Sequence, residues 1–170
     1  MNLFDLSGQV SVVTGGNGGI GLGIAEALGS AGSSVCVWGR NPEKNARAVQ
    51  IVSNTGSMCA SVVCDVADPE SVEAAMRETL NRFGRVDGCF ANAGIGGGGR
   101  LSFIERSETE FRNMLDVNVG GVFRAFRSVA RHMVERAQRG DAFGRLVATS
   151  SLASLFGTAR NEHTLLQKRQ

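Results

Sequence analysis

The chain of 170 residues contains no tyrosine, and only two of its 18 basic residues, Lys44 and Lys168, are lysines. The first absence removes the phenol, a side chain enzymes use to give or take a proton. No apolar run approaches the ~20 residues that a membrane-crossing helix needs. The start, Met1-Asn2-Leu3-Phe4-Asp5, lacks the basic and apolar segments of a secretory signal, so a cytoplasmic location is expected. The four cysteines, Cys36, Cys59, Cys64 and Cys89, form no C-x-x-C pair and read as reduced thiols. All but Cys59 lie in apolar runs that resemble buried strands. His132 and His163 stand far apart, His132 at an exposed helix position, and no ligand cluster has the spacing of a metal site. With a net charge of only +2, no strong field favours nucleic acid or an anionic membrane as partner.

What is present is the composition of an ordinary globular protein, 42% hydrophobic and 20% charged, long enough for one domain spanning 1–170. Its most informative stretch is Val10-Ser-Val-Val-Thr-Gly-Gly-Asn-Gly-Gly-Ile-Gly21. An apolar run breaks into glycines at 15, 16, 18, 19 and 21, and a helical pattern follows through Leu22, Ile24, Ala25 and Leu28. A strand, a glycine turn and a helix in that order aim free backbone N–H groups and the positive helix end at one spot. Glycine lets a pyrophosphate approach the backbone there.

Apolar strand-like runs alternate with helical patterns along the rest of the chain. Strands are expected at 9–13, 34–38, 61–64, 86–91 and 144–149, short and rich in Val and Cys, as when both faces are covered. Helices are expected at 19–31, 42–54 and 69–83, with a pair across 107–138. Asp68 before Pro69, and Asn41 before Pro42, mark helix starts, and Gly84 marks an end. The segment 96–106 reads as loop. Such alternation implies an α/β fold, a doubly wound parallel sheet with right-handed crossovers.

Thr14-Gly15-(x)3-Gly19-Ile20-Gly21, with Asn17 inside it, resembles the cofactor motif of the short-chain dehydrogenases/reductases. Four further motifs of that family follow in order. Asp65-Val66 resembles its Asp-Val pair, whose carboxylate reaches the adenine amino group. Asn92-Ala93-Gly94 resembles its N-A-G motif beside the cofactor, Asn118 its helix asparagine, and Ser150-Ser151 its serine signature. The resemblance implies a Rossmann-type sheet of strand order 3-2-1-4-5, without the family's last two strands. It implies a hydride moved between NADP or NAD and a carbonyl or alcohol substrate, with Ser151 orienting the oxygen and Asn118 supporting the proton relay. It also implies homodimers or homotetramers, with the helix around Val122–Val134 at the interface. In dinucleotide folds an acidic residue after the second strand binds the ribose 2′-OH of NAD, and an arginine accommodates the 2′-phosphate of NADP. Here Gly39-Arg40 stands at that place, which favours NADP. The rival expectation is a nucleotide-binding fragment or pseudoenzyme acting through partners. A phosphate-loop NTPase is disfavoured because no Gly-Lys-Ser/Thr follows the glycines.

The pattern breaks near the end. The family places an active-site Tyr 13 residues after the serine and a Lys four beyond; counting from Ser151 reaches Thr164 and Lys168. A threonine hydroxyl is too weak an acid to replace a phenol. Thr-Leu-Leu-Gln-Lys-Arg-Gln can be encoded so that one added base yields Tyr-Ala-Ala-Thr-Lys-Ala-Ala. The expectation is therefore an off-frame tail at 164–170, an inactive chain as written, and a fifth strand left as an uncovered edge. The nucleotide sequence across codons 163–170 checks the frame: a neighbouring frame spelling Tyr-x-x-x-Lys is expected, and codons that cannot spell it overturn the idea.

Overall fold

Val12 and Val13 are both completely buried, yet they serve different cores. Successive side chains of a strand point to opposite faces, so a strand between two helical layers must be apolar at every position. Val12 packs with Cys36, Trp38 and Cys89, and Val13 with Val35 and Val37. A computed structural model describes residues 4–96 and 103–151. Its sheet contains β1 (Val10–Thr14), β2 (Ser34–Gly39), β3 (Cys59–Val63), β4 (Gly88–Ala91) and β5 (Arg145–Ala148). All neighbours are parallel and the order is β3-β2-β1-β4-β5, as the resemblance implied.

Helices α1 (Gly19–Ser30) and α2 (Pro42–Ser53) cover one face through Ala25, Leu28, Ala48 and Val52. Helices α3 (Pro69–Phe83) and α5 (Gly121–Ala137) cover the other through Val72, Ala75, Met76, Ala125 and Val129. The expected caps are in place. Asn41 Oδ1 accepts the Lys44 N–H at 2.8 Å, Asp68 Oδ1 accepts the Glu70 N–H at 2.9 Å, and α3 stops at Gly84. Ser107 and Glu110 form a reciprocal capping box ahead of α4 (Glu108–Leu115).

Several expectations change. The pair of helices across 107–138 is joined without a break by a π-helical turn, Asp116–Gly120, between α4 and α5. Phe103–Glu105 is a 3₁₀ turn rather than plain loop, and residues 97–102 of that segment lie outside the described residues. Cys59 opens β3 and Cys64 follows it, the reverse of the expected assignment, because β3 begins two residues earlier than its apolar run. β5, by contrast, is the expected uncovered edge, with Leu146 and Val147 42% and 45% exposed. His132 is half-buried rather than exposed, and its Nε2 accepts the Val86 N–H at 3.3 Å. Burial, then the charge of Arg136, lowers its pKa and keeps the ring a neutral acceptor.

At the end of the sheet opposite the glycine turn lies a buried charge cluster. Asp87 is fully buried and accepts the Val10 N–H at 2.9 Å and the Arg85 guanidinium at 2.8 and 2.7 Å. Arg136 on α5 reaches the same carboxylate at 2.8 Å and donates to the Val86 carbonyl at 2.7 Å. Asp141 closes the cluster against both arginines. One carboxylate thereby ties β1, the start of β4 and the end of α5 together. Burial alone would raise the Asp87 pKa, but the hydrogen bonds from Arg85 and Val10 and the charge of Arg136 outweigh it and hold it below the usual range. A depressed carboxylate pKa contributes stability that is present above the unfolded value, about 3.9, and is lost as pH falls through the folded value. Asp87→Asn is expected to cost about 3 kcal/mol at pH 7, the scale of breaking a buried pair. It should also flatten the loss of stability below about pH 4, which urea titrations across pH 2–7 would measure.

Candidate functional site

The chain leaves β1 through a turn that only glycine can make. Gly15 has φ +64°, and a Cβ there would come within 3.0 Å of Ala93 Cα; its N–H donates to the Trp38 carbonyl at 2.7 Å. Gly21 is buried beneath the turn, where a Cβ would collide with the Gly15 carbonyl. Gly18 and Gly19, by contrast, face open space. Among the described residues no side chain caps the start of α1, and its first turn carries no acidic residue, unlike α2, α3 and α4. The first N–H groups of α1 therefore point outward beneath a glycine surface. That arrangement suits an anionic phosphate bridge.

The loop after β4 is held against this turn from two sides. Thr14 Oγ1 accepts the backbone N–H of Asn92 at 3.0 Å and of Ala93 at 2.9 Å. Asn118, 7% exposed in the π-helical turn, accepts the Ile95 N–H at 2.8 Å through Oδ1 and donates through Nδ2 to the Ile95 carbonyl at 3.0 Å. A π turn inserts one extra residue per turn, and it places Asn118 against the sheet rather than in solvent. Thr149 Oγ1 donates to Asn92 Oδ1 at 3.1 Å, which brings the end of β5 beside the same loop.

The third wall comes from β2 and β3. Arg40, just past β2, is 64% exposed and sits 3.9 Å from the Asp65 carboxylate. An exposed pair at that distance is weak and leaves the guanidinium free to reorient. Asp65 Oδ1 accepts the Ala67 N–H at 3.0 Å, and Ser71 Oγ accepts the Asp65 N–H at 3.0 Å, which shapes the turn into α3. Together these segments enclose a cleft of about 510 Å³. It opens at the C-terminal ends of the strands, where β1 and β4 diverge, the switch point at which open α/β sheets bind ligands.

Among the sequence-predicted residues, the fold brings Gly15, Asn17, Gly19, Arg40, Asp65, Val66, Asn92, Ala93 and Gly94 to the walls of this cleft. Thr14, Ile20, Gly21, Asn118 and Ser151 do not line it. Thr14 and Asn118 hold the loop behind it, Ile20 is exposed on α1, and Ser151 follows β5. Thr164 and Lys168 lie outside the described residues.

A family model, short chain dehydrogenase, matches residues 9–163. The chain belongs to the short-chain dehydrogenase family. It is 37% identical over 153 residues to a 2,5-dichloro-2,5-cyclohexadiene-1,4-diol dehydrogenase of Sphingobium indicum, covering 90% of this chain and 58% of that protein. It is 34% identical over 155 residues to a 3-oxoacyl-[acyl-carrier-protein] reductase of Chlamydia muridarum, covering 90% and 59%. Among solved structures, NAD+-bound xylitol dehydrogenase superposes with a TM-score of 0.87 at 30% identity, covering 96% of this chain and 60% of that one. An alcohol dehydrogenase of Thermococcus sibiricus, complexed with 5-hydroxy-NADP, superposes with a TM-score of 0.83 at 29% identity, covering 95% and 66%. The chain thus spans less than two thirds of the length of these family members.

Sequence reasoning missed Trp38, Lys44 and Ile95 on the cleft walls, and Asn45 and Thr149 behind them. Asn45 left a signal: it stands three and seven residues before Ala48 and Val52, on the apolar face of α2, where a polar residue needs partners. Thr149 left none, because its partner Asn92 is 57 residues away. The Thr14 hydroxyl is the acceptor for two backbone donors of the family's N-A-G loop. Thr14→Val keeps the shape and removes that acceptor, so it should cost roughly 2–4 kcal/mol of stability. Thr14→Ser should recover most of that loss, as thermal unfolding of the two variants would measure.

Proposed function

We propose that this chain builds the dinucleotide site of an NAD(P)-dependent oxidoreductase, with NADP as the preferred cofactor. The observation that carries the proposal is the cleft itself: a glycine turn with outward N–H groups, Arg40, Asp65 and the Asn92–Gly94 loop converge at the sheet's switch point. The glycine turn would take the pyrophosphate, Asp65 and Val66 the adenine end, and Asn92, Ala93 and Gly94 the nicotinamide end. Asn118 would act through the Ile95 backbone, fixing the loop beside the reacting atoms, and Ser151 would orient a carbonyl or alcohol oxygen. Bound nicotinamide supplies a hydride donor or acceptor, the chemistry that the names of the relatives share. The solved neighbours include one bound to NAD+ and one complexed with an NADP derivative, so cofactor choice rests on this chain's own residues.

Those residues favour a 2′-phosphate. No carboxylate stands at position 39, and Arg40 and Lys44 both line the cleft. The 170 residues hold no phenol, so binding without turnover is the expected behaviour of this chain, and a carbonyl panel with NADPH tests that.

Calorimetry should find NADPH bound more tightly than NADH. Losing the Arg40 contact should weaken NADPH on the order of 10–100-fold, the scale of one hydrogen bond to a charged group. Arg40→Asp should therefore shift preference toward NADH. Equal affinities in both proteins would remove Arg40 from the site.

A further inference from the structure

We propose that Asn45, on the buried face of α2, is the positioning residue that bars a carboxylate from the ribose end of the cleft, so that the site suits a 2′-phosphorylated ribose. The inference rests on the dinucleotide reading above and adds to it a residue that lines no part of the cleft. Asn45 is 2% exposed and every arm of its amide is used. Nδ2 donates to the Gly39 carbonyl at 2.8 Å and to the Val62 carbonyl at 3.3 Å, bridging the ends of β2 and β3. Oδ1 accepts from Asn17 Nδ2 at 2.6 Å, which ties the glycine turn to the same point.

These bonds fill the space that a side chain at 39 would need. A Cβ on Gly39 would run into both the Asn17 amide nitrogen and Asn45 Oδ1. Asn17 borders the open cleft and has somewhere to go. Asn45 has not, because moving it takes a donor from two strand-end carbonyls, leaves the Gly39 carbonyl with the Cys64 N–H at 3.2 Å, and buries an unpaired amide. Position 39 is therefore glycine for want of room, and an acidic residue there must first displace Asn45. With that position closed to carboxylates, Arg40 and Lys44 are the cations nearest it on the cleft wall, and the Asp65 carboxylate, 3.9 Å from Arg40, is held in the turn into α3 by the Ala67 N–H.

The test is the binding of NADH and NADPH, read by quenching of Trp38 fluorescence and by calorimetry; Trp38 is the chain's one tryptophan and lines the cleft. Gly39→Asp is made in the native background and together with Asn45→Ser, with circular dichroism reporting the fold of each. The expected result is no gain in NADH affinity for Gly39→Asp alone, and a gain of at least 10-fold over that variant when Asn45→Ser is added. A 10-fold gain from Gly39→Asp alone overturns the proposal, and so does a folded double variant with no gain. If the double variant does not fold, Gly39→Ala decides. A bare methyl should weaken NADH and NADPH alike by about 10-fold, and unchanged affinity overturns the proposal. Failure of the native chain to bind either dinucleotide would instead defeat the cofactor reading on which the inference stands.

Discussion

Two backbone N–H groups meet one hydroxyl at the end of β1, and the cleft depends on that meeting. Thr14 Oγ1 holds Asn92 and Ala93 against the strand, while the chain leaving Thr14 turns away through Gly15 toward α1. A parallel sheet whose order reverses at β1 necessarily parts its loops there, one to each face. Without a tie across the gap, the two loops would move independently. With it, the glycine turn and the Asn92–Gly94 loop become opposite walls, close enough that a Cβ on Gly15 would press on Ala93 Cα at 3.0 Å.

Each wall is then braced from behind by a polar residue in an apolar layer. Asn118 clamps Ile95 from the α4–α5 side, and Asn45 clamps Gly39, Val62 and Asn17 from the α1–α2 side. Buried amides are costly unless fully paired, and once paired they hold a single geometry. The π turn contributes on the first side, because it lets Asn118 enter the sheet's C-terminal edge while α5 keeps its own apolar face on the core. Arg124 secures that turn, donating to the carbonyls of Asp116 and Val66 and pairing with the Asp116 carboxylate.

The opposite end of the sheet is closed by charge rather than by loops. Asp87 there gathers Val10, Arg85 and Arg136, so the strands that diverge at the cleft are tied together at their other ends. The sheet is thus fastened at one end and open at the other, where the cleft lies.

Local chemistry made much of this legible in the sequence. Short apolar runs alternating with helical patterns, the Asp68-Pro69 and Asn41-Pro42 starts and the glycine turn depend only on neighbours along the chain, and they located the five strands and the main helices to within a few residues. The glycine turn and Arg40 stood out by residue type and place, and Asp65 and the Asn92–Gly94 loop by their resemblance to the family's motifs in order. Other features belong to contacts between distant segments. The burial of Asn118 and His132 depends on where α5 lies, and the room at Gly39 on two amides from separate elements. The sequence by itself determined which segments form the strands and the glycine turn that border the cleft, because patterning and motif spacing are properties of adjacent residues. Only the tertiary structure decided which side chains face the cleft and which brace it, because partners such as Asn17 and Asn45, 28 residues apart, meet only when the layers pack.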